Sequence, residues 1–312
     1  MSSESAFIES LRALATHPAA RNLLDDAAVL EVGGHKLVLT HDMLVEGVHY
    51  LPDDPPGDVA WKLLAVNLSD LAAKGARPVG VLLGYSLGEE GWDAAFARGL
   101  ETALRAFTLP LLGGDTVRGA GPRTLALTAL GEARGPIPSR SGGHAGDHLW
   151  VSGSIGDGGA GLRGLRGEIA HSPALAERYR NPRPRLEAGE RLAALVTAMT
   201  DLSDGLLIDA SRLAAASGVA AAIDLALVPL SEAFVAILGD GREARLAAAT
   251  AGDDYELLFA ATAARAAEIL ALQDEIGLPL SRIGRLEAGT GLSLTDGAEA
   301  LPPPSRLGWE HR

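Results

Sequence analysis

The chain has 312 residues, enough for two domains or one large one, and its 47 % apolar content supports a packed core and excludes disorder. A net charge of −13, from acids spread along the chain with no basic stripe, argues against a nucleic-acid partner and means that an anionic substrate would need cations to approach. Cysteine is absent, which removes disulfides, thiolate metal sites and cysteine nucleophiles together, and no uninterrupted apolar run reaches the roughly 18 residues of a membrane span.

The opening segment, MSSESAFIESLRALATHP, carries two Glu and no basic region, unlike a secretory signal. Its apolar spacing predicts a short amphipathic helix ending before Pro18, and the chain reads as soluble and cytoplasmic. Ala27 to Leu30 and Lys36 to Thr40 read as strands around a Gly33-Gly34 turn, and Pro52 to Pro56 marks a loop. Val59 to Leu68 predicts a buried helix, with Ser69 and Asp70 offering a cap to a second segment, Leu71 to Lys74, stopped by Gly75. Beyond the breaker Pro78, Val79 to Leu87 reads as a strand and Trp92 to Phe107 as an Ala-rich helix. Leu111 to Gly113 reads as a strand end and Arg123 to Leu130 as a further strand.

Gly131 to Gly146 is rich in Gly, Pro and Ser and is the best linker, so an N-terminal domain of residues 1–140 and a C-terminal domain of 141–312 are expected. The second half opens with a strand at His148 to Ser152 and a Gly-rich loop. Helices at Arg185 to Met199 and Ser203 to Ala216 follow, the latter stopped by Ser217-Gly218, then a strand at Ala220 to Leu227.

Several apolar runs end in an acid: Asp42, Asp70, Asp115, and Asp201 followed by Asp204. Carboxylates gathered where core elements surface suit Mg²⁺, which takes oxygen ligands and shares them with substrate phosphates. Any one of these Asp residues also reads as a helix cap or turn residue, and only the joint pattern favours metal. Gly156-Asp-Gly158-Gly-Ala-Gly161 has the spacing of a dinucleotide fingerprint, but further glycines follow where a helix should settle. It reads as a structural or phosphate-lining loop. P-loop, zinc-protease and nucleophile-elbow motifs are absent.

Specific strings then occur in order: Asp25-Asp-Ala-Ala-Val29, His41-Asp-Met-Leu-Val-Glu-Gly-Val-His49, Ala65-Val-Asn-Leu-Ser-Asp-Leu-Ala-Ala73, Gly113-Gly-Asp-Thr-Val-Arg-Gly119, Ser139-Arg-Ser141, Asp201-Leu-Ser-Asp-Gly-Leu206 and Gly252-Asp-Asp-Tyr-Glu-Leu257. Together they closely resemble the thiamine-monophosphate kinase family of the aminoimidazole-ribonucleotide-synthetase-like (AIR-synthetase-like) superfamily. The resemblance implies a two-domain α/β plus α+β architecture whose N-terminal sheet pairs with its twin across a homodimer. It implies transfer of the ATP γ-phosphoryl group to thiamine monophosphate. Several Mg²⁺ ions would be held by Asp25, Asp42, Asp70, Asp115, Asp201 and Asp204, with Thr40 and His41 contributing. Gly114, Asp115, Arg140 and Ser203 would face ATP, and His49, Asp253 and Trp309 the thiamine substrate.

The chain departs from the family pattern at Leu24, where Gly is usual and a positive φ would strain Leu. It departs also at His41, where a hydroxyl residue is common, and at Asp253, one methylene shorter than the usual Glu. The phosphate acceptor is ionised near neutral pH, with a second pKa of about 6, so no general base is expected. Metal, Arg140 and Arg118 would supply the positive charge. Another ATP-using enzyme of the superfamily and a non-catalytic nucleotide-binding paralogue are the alternatives.

Overall fold

The computed structural model describes residues 3–310. A first helix, α1 (Ser3–Arg12), ends earlier than the apolar spacing predicted, and a 3₁₀ turn over Pro18–Leu23 leads into β1 (Ala28–Val32) and β2 (His35–Val45). Both turn residues of this hairpin, Gly33 and Gly34, have positive φ, as the tight turn requires. Then come α2 (Pro56–Ala73), β3 (Arg77–Ser86), α3 (Glu90–Ala106), β4 (Leu111–Val117) and β5 (Thr124–Ala133).

These strands form one sheet in the order β1-β2-β5-β3-β4, antiparallel except for the β3–β4 pair. Pro78 does not break β3; the ladder takes up its missing N–H as a register irregularity between Pro78 and Gly80. Strand β4 is an edge strand exposed along its whole length.

Residues 134–147 connect this sheet to the second half: β6 (His148–Ser152), α4 (Asp157–Leu165), α5 (Pro173–Arg180), α6 (Leu186–Leu192), β7 (Ala198–Asp201), α7 (Leu206–Ser217) and β8 (Ala220–Asp224). It continues with α8 (Glu232–Leu238), α9 (Arg242–Ala249), β9 (Leu257–Ala261), α10 (Ala266–Ile276), β10 (Leu280–Glu287), β11 (Gly291–Asp296) and β12 (Glu299–Leu301). Its seven strands are ordered β12-β11-β8-β10-β6-β9-β7. The expected helix at Arg185 to Met199 is therefore two elements, since its last residues turn into the fully buried strand β7. The Gly-rich loop after β6 is the first turn of α4.

Helix α2 sets the relation of the two halves. It runs unbroken through Ser69 and Asp70, which cap nothing, and almost all of it is buried. One side packs on β2 and β5, the other on α6 and β7. The second crossing is close because Gly189 of α6 lies directly on the Ala72 carbonyl, where a Cβ would collide with backbone. Two cores flank this helix: Leu63, Leu64 and Leu68 with Val38, Val81, Leu125 and Leu127, and Ala72 and Ala73 with Leu192, Met199 and Phe259.

Candidate metal centre and active site

The acids collect where α2 meets both sheets. Asp26 from the loop before β1, Asp70 from α2 and Asp201 at the end of β7 bring carboxylate oxygens within 4.8 Å of one another. Asp42 of β2 shares a hydrogen bond with the Asp70 side chain, and Asp204 lies near enough to act on its charge. Burial and mutual repulsion disfavour ionisation of Asp42, Asp70 and Asp201. Burial, then Asp26, push Asp201 up to about 8; burial, then Asp26, push Asp42 up to about 6; and burial, then Asp42, raise Asp70 strongly. Such a group of oxygens is poorly stable without added cations.

Two fixed cations border it. Arg140 Nη2 lies 2.5 Å from Asp26 Oδ1 and its Nε donates to Thr200 Oγ1 at 3.2 Å, while that hydroxyl donates to Asp26 Oδ2 at 3.1 Å. Burial opposes the guanidinium charge, but Asp26, Asp209 and Asp201 outweigh it and raise the Arg140 pKa. The buried Lys74 lies 3.9 Å from Asp26 and pairs directly with Asp25. Asp25 also takes Arg21 Nη1 at 2.5 Å. Burial alone would raise the Asp25 pKa, yet Lys74 and Arg21 hold it below the usual carboxylate value. Asp25 is thus a neutralised structural acid, and Asp26, which the sequence reading passed over, faces the cluster.

Other expected site residues are placed as follows. Thr40 Oγ1 donates to the Asn67 carbonyl at 3.2 Å, tying β2 to α2, and Asp42 N–H donates to Asn67 Oδ1 at 3.1 Å. The His41 imidazole lies on the opposite face of the sheet, with Nδ1 2.8 Å from Thr128 Oγ1. Strand register runs Asp42, Leu127, Leu83, Gly114 across the sheet, so Gly114 lies three strands, about 14 Å, from Asp42. Asp115 points to the other, exposed face, in the row of Met43. Arg118 Nη1 donates to the Gly88 carbonyl at 3.4 Å.

Beyond β7 the chain turns through Ser203 and Asp204 into α7. Asp209 accepts the Asp204 and Gly205 amides at 3.1 and 3.2 Å, and Arg212 bridges Asp204 and Asp209 at 2.5 and 3.0 Å. Trp309 is anchored beside this turn by its N–H, which donates to the Asp204 carbonyl at 2.9 Å. Ser203 carbonyl accepts from Asp253 N–H at 2.9 Å. His49 Nδ1 accepts from Val45 N–H at 3.0 Å, which fixes Nε2 as the protonated nitrogen of the neutral ring.

The Gly156 to Gly161 spacing has a structural cause. The N-terminal amides of α4 are filled from within: Asp254 accepts Gly156 N–H at 2.9 and 2.8 Å and Gly158 N–H at 3.3 Å. A Cβ at Gly158 would collide with the Asp253 backbone, and one at Gly161 with the Leu175 carbonyl of α5. These glycines permit close packing rather than approach to a pyrophosphate.

The model of the AIR synthase related protein N-terminal domain matches residues 24–133, and that of its C-terminal domain matches residues 144–297. A thiamine-monophosphate kinase of Caulobacter vibrioides is 42 % identical over 304 residues, covering 94 % of this chain and 86 % of that protein. The crystal structure of thiamine-monophosphate kinase from Stenotrophomonas maltophilia K279a superimposes with a TM-score of 0.78 at 40 % identity, covering 93 % of this chain and 94 % of that one. AaThiL complexed with AMPPCP and TMP superimposes with a TM-score of 0.85 at 29 % identity, over 99 % and 97 % of the two chains.

Proposed function

The chain belongs to the AIR synthase related family and, within it, to the thiamine-monophosphate kinases; we propose that it transfers the ATP γ-phosphoryl group directly to the phosphate of thiamine monophosphate at the cluster of Asp26, Asp42, Asp70 and Asp201. The observation that carries this reading is the cluster itself. Four carboxylates from both halves of the molecule converge, buried or half-buried and mutually repelling, in a chain related to kinases of that substrate.

The donor set fits Mg²⁺, since it is all oxygen and leaves room for phosphate ligands. Asp26, Asp42, Asp70 and Asp201, with Asp204 at the rim, would hold it. When bound, the metal neutralises charge on the phosphates and helps align them. Arg140 supplies fixed positive charge at the same place without moving. No side chain need take a proton, because the acceptor oxygen is already ionised; the residues bind, orient and screen. His49, Asp253 and Trp309 would frame the thiamine end, with the Ser203 carbonyl accepting from Asp253 N–H.

For the nucleotide base we propose the cavity of about 730 Å³ between α3 and the β3–β4 edge, lined by Leu83, Phe96, Leu100, Leu111 and Thr116. Leu111 and Thr116 bracket Gly114 and Asp115 in β4, and a flat apolar base fits such a lining. Asp115 is too far from Asp42 to join the cluster of its own chain. The exposed face that carries it also bears Met43, Leu82, Leu112 and Val117, each about half exposed. A homodimer joined through this face would cover the apolar residues and bring Asp115 of a second copy toward the acids.

Incubation with thiamine monophosphate, ATP and Mg²⁺ should give thiamine diphosphate and ADP in equal amounts, and none with EDTA. Nucleotide binding without thiamine diphosphate would overturn the reading in favour of a non-catalytic paralogue or another acceptor.

A further inference from the structure

Lys62 lies in α2 with 1 % of its surface exposed, and a buried ammonium is stable only when its protons find acceptors. Here Nζ donates to the His49 carbonyl at 3.0 Å, lies 3.0 Å from Asp253 Oδ1, and sits over the Tyr179 ring 3.8 Å from its centroid. Tyr255 OH donates to the same Asp253 oxygen at 3.2 Å. His49 follows β2 in the first half of the molecule, whereas Asp253 precedes β9 in the second. One cation therefore holds both together.

We infer that Lys62 is a positioning residue for the thiamine end of the site, acting through Asp253 and the His49 loop; the inference rests on the substrate assignment of those two residues made above. Asp253 needs such a hold. Its φ of +69° is left-handed, and its backbone presses on Gly158 of α4. Its side chain is 24 % exposed, so one oxygen is fixed from beneath by Lys62 while the group still meets solvent. Substrate then encounters a carboxylate already oriented, and little ordering is left for binding to do. The nucleotide cavity lies between α3 and the β3–β4 edge and shares no residue with this cluster.

The test is steady-state kinetics of Lys62→Met, Asp253→Asn and the double variant. Lys62→Met should raise KM for thiamine monophosphate about tenfold or more while KM for ATP stays within about twofold. Because Lys62 acts in part through Asp253, the loss in the double variant should be smaller than the sum of the two single losses. Unchanged KM for thiamine monophosphate, an equal rise for both substrates, or additive losses would overturn the inference, the last two marking a purely structural residue. If Asp253→Asn itself leaves KM for thiamine monophosphate unchanged, the substrate assignment fails and this inference with it. If Asp253→Asn is impaired but Lys62→Met is normal, only the inference fails. Should Lys62→Met not fold, Lys62→Gln keeps an N–H donor for the His49 carbonyl and carries the same expectation; if it too fails to fold, the residue is structural and the inference is overturned.

Discussion

Two adjacent acids, Asp25 and Asp26, have opposite fates because one finds cations and the other finds acids. Asp25 is neutralised by Lys74 and Arg21, whereas Asp26 meets Asp70 and Asp201. The pair was visible in the sequence; which member faces the other acids was not, because that depends on a lysine 49 residues away. Leu24 likewise carries no strain, with φ −104°; the left-handed residues are Arg21, Asn22 and Leu23 just before it. The raised pKa values have a testable consequence. A carboxyl that holds its proton more tightly when folded loses stability as pH rises from its unfolded pKa, about 4, through its folded one. For Asp42 and Asp209, pushed up to about 6, and Asp201, pushed up to about 8, that window spans pH 4 to 8. In EDTA, Tm should fall across it, Mg²⁺ should restore it at the alkaline end, and Asp201→Asn should flatten the slope while abolishing turnover. A Tm insensitive to both pH and Mg²⁺ would contradict the proposed metal centre.

At the scale of elements, most strands and the acidic ends of the apolar runs could be read from pattern, because alternation and turn residues are local. Two readings failed where the decisive contact was distant, and an alternative left open was decided by one. Leu192 to Asp201 is apolar enough for helix or strand, and only pairing of β7 with β9 makes its end a strand. Ser69 and Asp70 looked like a cap, yet both halves of the molecule bury α2 and keep it whole. The Gly156 to Gly161 segment, read as a structural or phosphate-lining loop, has its helix-start amides filled by Asp254. Gly158→Ala should therefore push the Asp253 segment away, raising KM for thiamine monophosphate and lowering Tm, with KM for ATP little changed. A normal KM for thiamine monophosphate in a folded Gly158→Ala protein would separate α4 from the substrate end.

For the molecule as a whole, the two sheets meet along α2, so neither half contains the acid cluster alone: Asp26, Asp42 and Asp70 come from one and Asp201 from the other. The β4 edge raises a further question of completeness. If Asp115 of a second copy serves the cluster, Asp70→Asn and Asp115→Asn should each be inactive yet regain about a quarter of wild-type activity when coexpressed, since a mixed dimer keeps one intact site of two. No recovery in mixed dimers, verified by mass, would place both residues in one subunit's site or outside it. The mechanism proposed is a single displacement between two phosphates held at the carboxylate cluster, with no protein nucleophile. Stereochemical analysis with ATP made chiral by oxygen isotopes at the γ-phosphorus tests it most directly. One in-line transfer predicts inversion of configuration in the terminal phosphate of thiamine diphosphate; retention would mean two transfers through a phosphorylated residue and would contradict the account.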